Sequence, residues 1–228
     1  MAIESALKQE VEKEIILIDD CSKDNTRDII RTYLELDNVK LICNPSNQGV
    51  AKSRNIGVQN AQGDYIAFLD ADDYWEKDKL VKQLQRLQET GGVFCYTGRK
   101  LITEEGNLTG QTIHVRERSN YETLSKHNDI ACSSVVMKRS LALEVPMEHE
   151  EVHEDYLNWL RILKKGYIAY GIDEPLLYYR LSEGGKSRSK LKSAKMTYGV
   201  HRYMGAGRIQ ALYLMCSHLS HALKKYRK

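Results

Sequence analysis

The chain predicts an α/β fold: a mostly parallel central sheet with helices on both faces, closed by a helical C-terminal tail. Two observations carry this. Strand-like and helix-like patterns alternate through the first ninety residues, an order that favours parallel strands joined by covering helices. Short apolar runs also end in acids, at Asp19-Asp20 and again at Asp70–Asp73. In open α/β sheets, ligands bind beyond such strand ends.

The elements follow in order. Residues 1–14 open with an amphipathic helix pattern, and Glu14–Ile18 is an apolar strand. Ser22 and Asp24 offer N-cap chemistry for a helix whose buried face reads as Ile29, Ile30, Tyr33 and Leu34. Val39–Cys43 is a second strand, broken by Asn44-Pro45-Ser46-Asn47; Val50–Ala61 is a helix stopped at Gly63. Tyr65–Leu69 is the third strand, and Leu80, Val81, Leu84 and Leu87 mark one side of a helix from about Glu76 to Glu89. Beyond Gly91-Gly92 the pattern loosens. Strands are expected at Val93–Ile102, Asn107–Val115 and Ala131–Met137, a helix at Glu154–Lys165, and two short strands at Ile168–Ile172 and Leu176–Leu181 punctuated by Pro175. The tail from Ser187 reads as helical. This divides the chain into residues 1–91, residues 92–186 as a second half of the same domain, and a basic helical tail over residues 187–228.

Composition narrows the function classes. The 228 residues carry 42% hydrophobic and 29% charged residues, as in ordinary globular proteins, and a net charge of +3 is too small to imply nucleic acid. No run of eighteen apolar residues exists and no signal peptide is visible, so a cytoplasmic protein is expected. The five cysteines lack CxxC spacing and read as buried thiols of a reducing compartment. From Arg180 to Lys228, twelve basic residues face the single acid Glu183.

The chemistry gathers at Phe68–Asp73, FLDADD. Three carboxylates on one turn repel one another, which raises pKa values or invites a cation. Hard oxygen ligands suit Mn²⁺ or Mg²⁺, which complete their shell with water and substrate phosphate. A solvated turn with Asp73 capping the next helix is the alternative, and the turn alone does not decide between them.

Three further segments accompany it: IDDCSKDNT at Ile18–Thr26, NQGVAKSRNIG at Asn47–Gly57 and HEDYLNWLRIL at His153–Leu163. In this order they resemble the family 2 glycosyltransferases with the A-type nucleotide-sugar fold, and the likeness runs through SSVVMKR at Ser133–Arg139 and SRSKLKSAK at Ser187–Lys195. The resemblance implies a metal-dependent inverting glycosyltransferase that takes a nucleotide-sugar, expected to be a UDP-sugar, to a saccharide or lipid-linked acceptor in surface polysaccharide synthesis. It implies that Asp19 or Asp20 contacts the base, that Arg54 and Asp70 help hold the nucleotide, and that Asp72, with Asp70, binds the metal. Asp155 would be the catalytic base, with Glu154 and Asp73 in the neighbourhood of the donor or acceptor sugar. Read from the residues alone, Asp19-Asp20 could only cap a helix, Lys52 and Arg54 could form a solvated face, and Glu154-Asp155 could merely complement a helix dipole.

The chain departs from the family in two places. Relatives often carry a histidine after the tyrosine-arginine pair that matches Tyr179-Arg180; here Leu181-Ser182 follow, with Lys186 and Arg188 as possible substitutes in charge. Relatives also begin with an apolar strand lying between those that end in Asp20 and Asp70, whereas Met1 falls almost directly on the following helix. A missing central strand would leave unpaired backbone and weakened donor binding, and a non-catalytic or truncated binding module is therefore the alternative to an enzyme. His149 and His153 are read as part of an acidic loop, and Trp159 as core in preference to a sugar platform. In the tail, Ile209, Leu212, Tyr213, Cys216, Leu219, Leu223 and Tyr226 recur at helical spacing. Such a basic amphipathic helix can lie on an anionic membrane, at the inner face of the cell membrane, or pack on the sheet; packing is the expectation.

Overall fold

The first apolar run forms β1 (Ile15–Asp19), paired in parallel with β2 (Val39–Cys43) from Ile15–Val39 to Asp19–Cys43. These and the elements below come from a computed structural model that describes residues 1–181 and 189–225, the last four as backbone only. Lys186, Arg188, the start of the tail at Ser187, the side chains of Leu223, Lys224 and Lys225, and the closing Tyr226–Lys228 lie outside the described residues. Helix α1 (Ala2–Leu7) precedes β1, and α2 (Thr26–Arg31) links β1 to β2. With only six residues, α2 buries Ile30 while Ile29 and Leu34 remain exposed, so its apolar face is narrower than the spacing predicts.

A second, seven-stranded sheet has the order β3 (Tyr65–Ala67), β8 (Val136–Lys138), β5 (Phe94–Ile102), β9 (Ala169–Arg180), β4 (Tyr74–Trp75); β6 (Leu108–Ile113) pairs with β5 and β7 (Arg118–Ser119) with β9. The seven-stranded sheet is mixed, which corrects the mostly parallel expectation. Only β1–β2 and β5–β9 run parallel, because β3 takes its partner from the second half of the chain, antiparallel β8, instead of from β1. The joint between the sheets is bridged by a side chain: Glu14 Oε1 accepts the N–H groups of Gln62 and Gly63 at 2.5 and 3.0 Å.

Helices cover both faces, as expected. Phe94 and Tyr96 of β5 point to a core shared with α3 (Val50–Asn60), α6 (Arg139–Glu144) and α7 (Glu154–Lys164). Cys95, one residue out of phase, points to the opposite core with Ala6 of α1 and Leu80 and Leu87 of α4 (Lys79–Thr90). Trp159 is fully buried between Phe94 and Phe68, with ring centroids at 5.1 and 6.3 Å, and is core. Pro175 does not divide β9. The register shifts where Gly98 meets Pro175, and a Cβ at Gly98 would lie 2.9 Å from the Glu174 carbonyl, so the missing side chain lets the bulge pass. The run Ala131–Met137 is part 3₁₀ turn (Cys132–Ser134) and part strand. Cys95 and Cys132 are buried as read, whereas Cys43 and Cys216 are exposed.

The tail forms α8 (Lys190–Tyr203) and α9 (Arg208–Lys225), which pack on each other; α9 also lies against α5 (Tyr121–Lys126). Ala211 and Leu214 are buried there. Of the stripe expected to pack inward, Ile209, Leu212, Tyr213 and Cys216 point outward and Leu219 is half-buried.

Candidate active site

Asp19 and Asp20 lie at the exit of β1, and both carboxylates organise backbone. Asp19 is buried; it accepts the Ser22 N–H at 3.0 Å and pairs with Arg27 at 2.5 Å, and bonding from Ser22 first, then Arg27, holds its pKa below the usual value against the cost of burial. Asp20 accepts Asn44 Nδ2 and the Gln48 N–H on one oxygen and the Gly49 N–H on the other, each at 2.8 Å. It thereby shapes the turn that opens α3. Gly49 sits at φ +87°, a conformation that disfavours side chains, and a Cβ there would run into the Glu150 carboxylate. Glu150 Oε1 accepts the Val50 N–H at 2.5 Å, so the acidic loop folds over the positive end of α3.

One turn into α3, Arg54 joins the two halves of the chain. Its guanidinium meets Asp70 at 2.6 Å and Glu154 at 3.0 Å. Burial opposes its charge, but Cys132, Asp70 and Asp155 outweigh this and raise its pKa well above the ordinary arginine value. Asn55, next in sequence, exchanges hydrogen bonds with the Met147 backbone at 2.8 and 2.9 Å and pins the loop that leads to α7. Sequence reasoning missed Asn55, although it lies inside the NQGVAKSRNIG segment.

The acidic turn is divided. Asp72 is exposed, its pKa raised by partial burial and then by Asp70. Asp70 is half-buried and faces Arg54. Asp73 is turned inward and accepts the Arg180 N–H at 2.9 Å, while the Arg180 guanidinium donates to the Asp72 carbonyl at 2.8 Å. Two hard carboxylates at an open turn, mutually repelling, fit a divalent cation that takes its remaining oxygens from water and phosphate. Among the described residues no three ligating side chains converge on a metal position. A cation here would depend on the substrate for its other ligands.

The turn is held from below by a residue with no charge to advertise it. Ser133 Oγ accepts the Asp70 N–H at 3.1 Å, the Ser133 carbonyl accepts Trp75 Nε1 at 2.7 Å, and the Ser134 carbonyl accepts Gln83 Nε2 at 2.9 Å. Ser133→Ala is expected to destabilise the fold by about 1 kcal/mol, since one buried donor loses its acceptor. Urea unfolding measures this, and an unchanged midpoint would show that the bond holds nothing.

Burial pushes the Asp73 carboxyl up to about 7, with Asp70 and Asp72 adding repulsion. The folded form then keeps a proton that the unfolded form releases above its ordinary value of 3.8. Stability contributed by this group is therefore full below 3.8 and falls as pH rises toward about 7. Asp73→Asn is expected to flatten that slope, read as the unfolding midpoint across this pH window in the presence of chelator.

Asp155 begins α7 beside Glu154. Burial, then the Glu154 charge, raises its pKa, and Arg54 only partly offsets them. Its Oδ1 lies 2.7 Å from the Tyr156 N–H. His149 stacks on Tyr203 with centroids 3.8 Å apart, and His153 Nε2 lies 3.2 Å from Ser193 Oγ, so the loop is fastened to α8.

A profile described as "Glycosyl transferase family 2" matches residues 1–143. A Bacillus subtilis (strain 168) protein assigned by name to teichuronic acid biosynthesis as a glycosyltransferase is 40% identical over 190 residues, covering 83% of this chain and 75% of the relative. The Escherichia coli UDP-Glc:alpha-D-GlcNAc-diphosphoundecaprenol beta-1,3-glucosyltransferase WfaP is 37% identical over 193 residues, covering 83% and 74%. Among solved structures, Staphylococcus aureus TarS with UDP-GlcNAc superposes with a TM-score of 0.72 at 18% identity, covering 98% of this chain and 68% of that one. A Pyrobaculum calidifontis mannosyltransferase with GDP-Man and Mn²⁺ gives 0.68 at 14%, covering 99% and 71%. At these identities the structural likeness speaks for the fold.

Proposed function

Since the chain belongs to glycosyl transferase family 2, we propose that it is a metal-dependent, inverting glycosyltransferase that moves a sugar from a UDP-sugar to a lipid-linked saccharide. The observation that carries this reading is the convergence on Arg54. One guanidinium ties Asp70, from the exit of β3, to Glu154, the neighbour of Asp155. A site for charged donor phosphates and a buried carboxyl thus share one wall.

In this reading Asp20 and Asp19 bind the base and ribose side of the donor, with Asp70 and Arg54 nearer the diphosphate. The Asp155 carboxylate takes the proton from an acceptor hydroxyl, whose oxygen attacks the anomeric carbon as the bond to the nucleoside diphosphate breaks. A raised pKa suits that task, because a stronger base accepts the proton more readily. Attack opposite the leaving group inverts the anomeric centre. Asp72 and Asp70 would hold Mn²⁺ or Mg²⁺, which as a Lewis acid neutralises charge on the departing diphosphate. Arg54 adds a fixed positive charge from the protein side. The lipid-linked acceptor is supported by the E. coli relative's acceptor, a diphosphoundecaprenol-linked GlcNAc. Such an acceptor would place the enzyme at the cytoplasmic face of the membrane; among the described residues no helix is long and apolar enough to cross it.

UDP-glucose with Mn²⁺ and a GlcNAc-diphosphoryl lipid is the first assay, read as UDP release and as the anomeric configuration of the product. Product formation that needs the cation and fails in Asp72→Ala supports the reading. Transfer that is unchanged by chelator, or retained in Asp72→Ala, removes the metal role.

A further inference from the structure

Helix α9 is built with its apolar stripe on the outside. Ile209, Leu212, Tyr213 and Cys216 recur at the i, i+3, i+4, i+7 spacing that lines one face of a helix. Ile209 is 87% exposed, Tyr213 64% and Leu212 52%, and Cys216 is exposed as well. The opposite face does the packing: Ala211 and Leu214 are buried, Ser217 Oγ donates to the Lys126 carbonyl at 3.3 Å, and His218 lies against His127 and Tyr156. A surface helix ordinarily turns its apolar side to the core. This one turns inward Ala211, Leu214 and the polar Ser217 and His218, and leaves Ile209, Leu212 and Tyr213 in water.

Charge says what covers the stripe. Arg208 begins the helix beside Ile209, and Lys192, Lys195 and Arg202 are exposed on α8, where Leu191 is 83% exposed. From Arg180 to the end of the chain, Glu183 is the single acid. Exposed aliphatic groups, an aromatic ring with a polar tip, and flanking cations are what an interface of anionic headgroups over acyl chains accommodates.

We propose that the outward face of α9, with the basic residues of α8, docks the protein on an anionic lipid bilayer, Ile209, Leu212 and Tyr213 entering the headgroup layer. The inference deepens the proposed function by supplying the contact that brings a soluble donor site to a lipid-linked acceptor. The geometry serves that end. α8 is fastened at Ser193 to His153, the residue before Glu154, and at Tyr203 to Glu151 and His149. The docking helices and the mouth of the candidate site are therefore held together through α8.

The test is flotation of the full chain with vesicles of equal parts phosphatidylglycerol and phosphatidylcholine, against vesicles of phosphatidylcholine alone. Binding to the anionic vesicles is expected, weakened by salt and reduced at least about tenfold in the triple variant I209S/L212S/Y213S, since each residue loses apolar surface to bury. A charge-reversal variant, R208E, is expected to weaken binding to the anionic vesicles alone. These positions are in solvent, so the variants should unfold at the same temperature as the parent. No binding to either vesicle, or equal binding by the triple variant, overturns the proposal. So does a dimer in sedimentation that the triple variant dissolves, which would assign the face to a second copy of the chain. Flotation needs no turnover and UDP affinity measured in the same variant needs no membrane, so failure of docking and failure of the proposed catalysis are read separately.

Discussion

Asp155→Asn is expected to fold as the parent does and to lose between about a hundredfold and ten-thousandfold of its transfer rate, the range for removing a general base. Asparagine keeps the size of the side chain and an acceptor for the Tyr156 N–H, so the variant isolates proton transfer from packing. Donor binding should survive, read as unchanged UDP affinity beside the lost rate. The pH profile gives a second reading. Because burial and Glu154 raise the Asp155 pKa, activity should climb as pH passes upward through that pKa, and the climb should vanish in the variant. A variant that transfers sugar at the parental rate would return Glu154-Asp155 to the role of helix-dipole acids.

Arg54→Ala is the larger structural insult. It removes the cation shared by Asp70 and Glu154 and leaves Asp155 beside the Glu154 charge with only His153 and the Tyr156 N–H to offset it. Removing one partner of a buried charge cluster typically costs about 3–5 kcal/mol; Asp70 is more than one-third exposed, so the lower figure applies. Urea denaturation should show a loss of about 3 kcal/mol, partly recovered at acidic pH, where the stranded carboxyls take up protons. Equal stability of variant and parent would mean that the site tolerates its acids without the guanidinium.

The order β1, α2, β2, α3, β3 was legible because each strand is a bounded apolar run ending in turn chemistry. The sheet's mixed direction was not, since parallel or antiparallel pairing depends on which distant strand arrives, and β8 carries nothing in its three residues that names β3 as its partner. Pro175 misled for a related reason: the allowance for it lies in Gly98, seventy-seven positions earlier, where a side chain would have met the Glu174 carbonyl. Charged site residues stood out because acids at strand ends are conspicuous. Ser133 and Asn55 did not, being neutral residues whose work is to hold backbone. The tail shows the opposite error. Its periodicity was plain, but periodicity gives a stripe without saying whether protein or solvent lies against it.

The division of the sheet has a consequence for cooperativity. In β1 the Ile15 N–H donates to Asn38 and the Asp19 carbonyl accepts from Asn44, so odd-numbered residues face β2 and the peptide groups of Ile16 and Ile18 point away from it, outside the β1–β2 ladder. A unit attached through side chains and loops, such as the Glu14 bridge, opens at lower cost than one locked into a continuous ladder. Amide exchange should therefore be faster at Ile16 and Ile18 than at Leu17. The pair that carries Asp19 and Asp20 is then a separately opening unit, and a ligand bound to those residues would be measured partly by how much slower their strand exchanges.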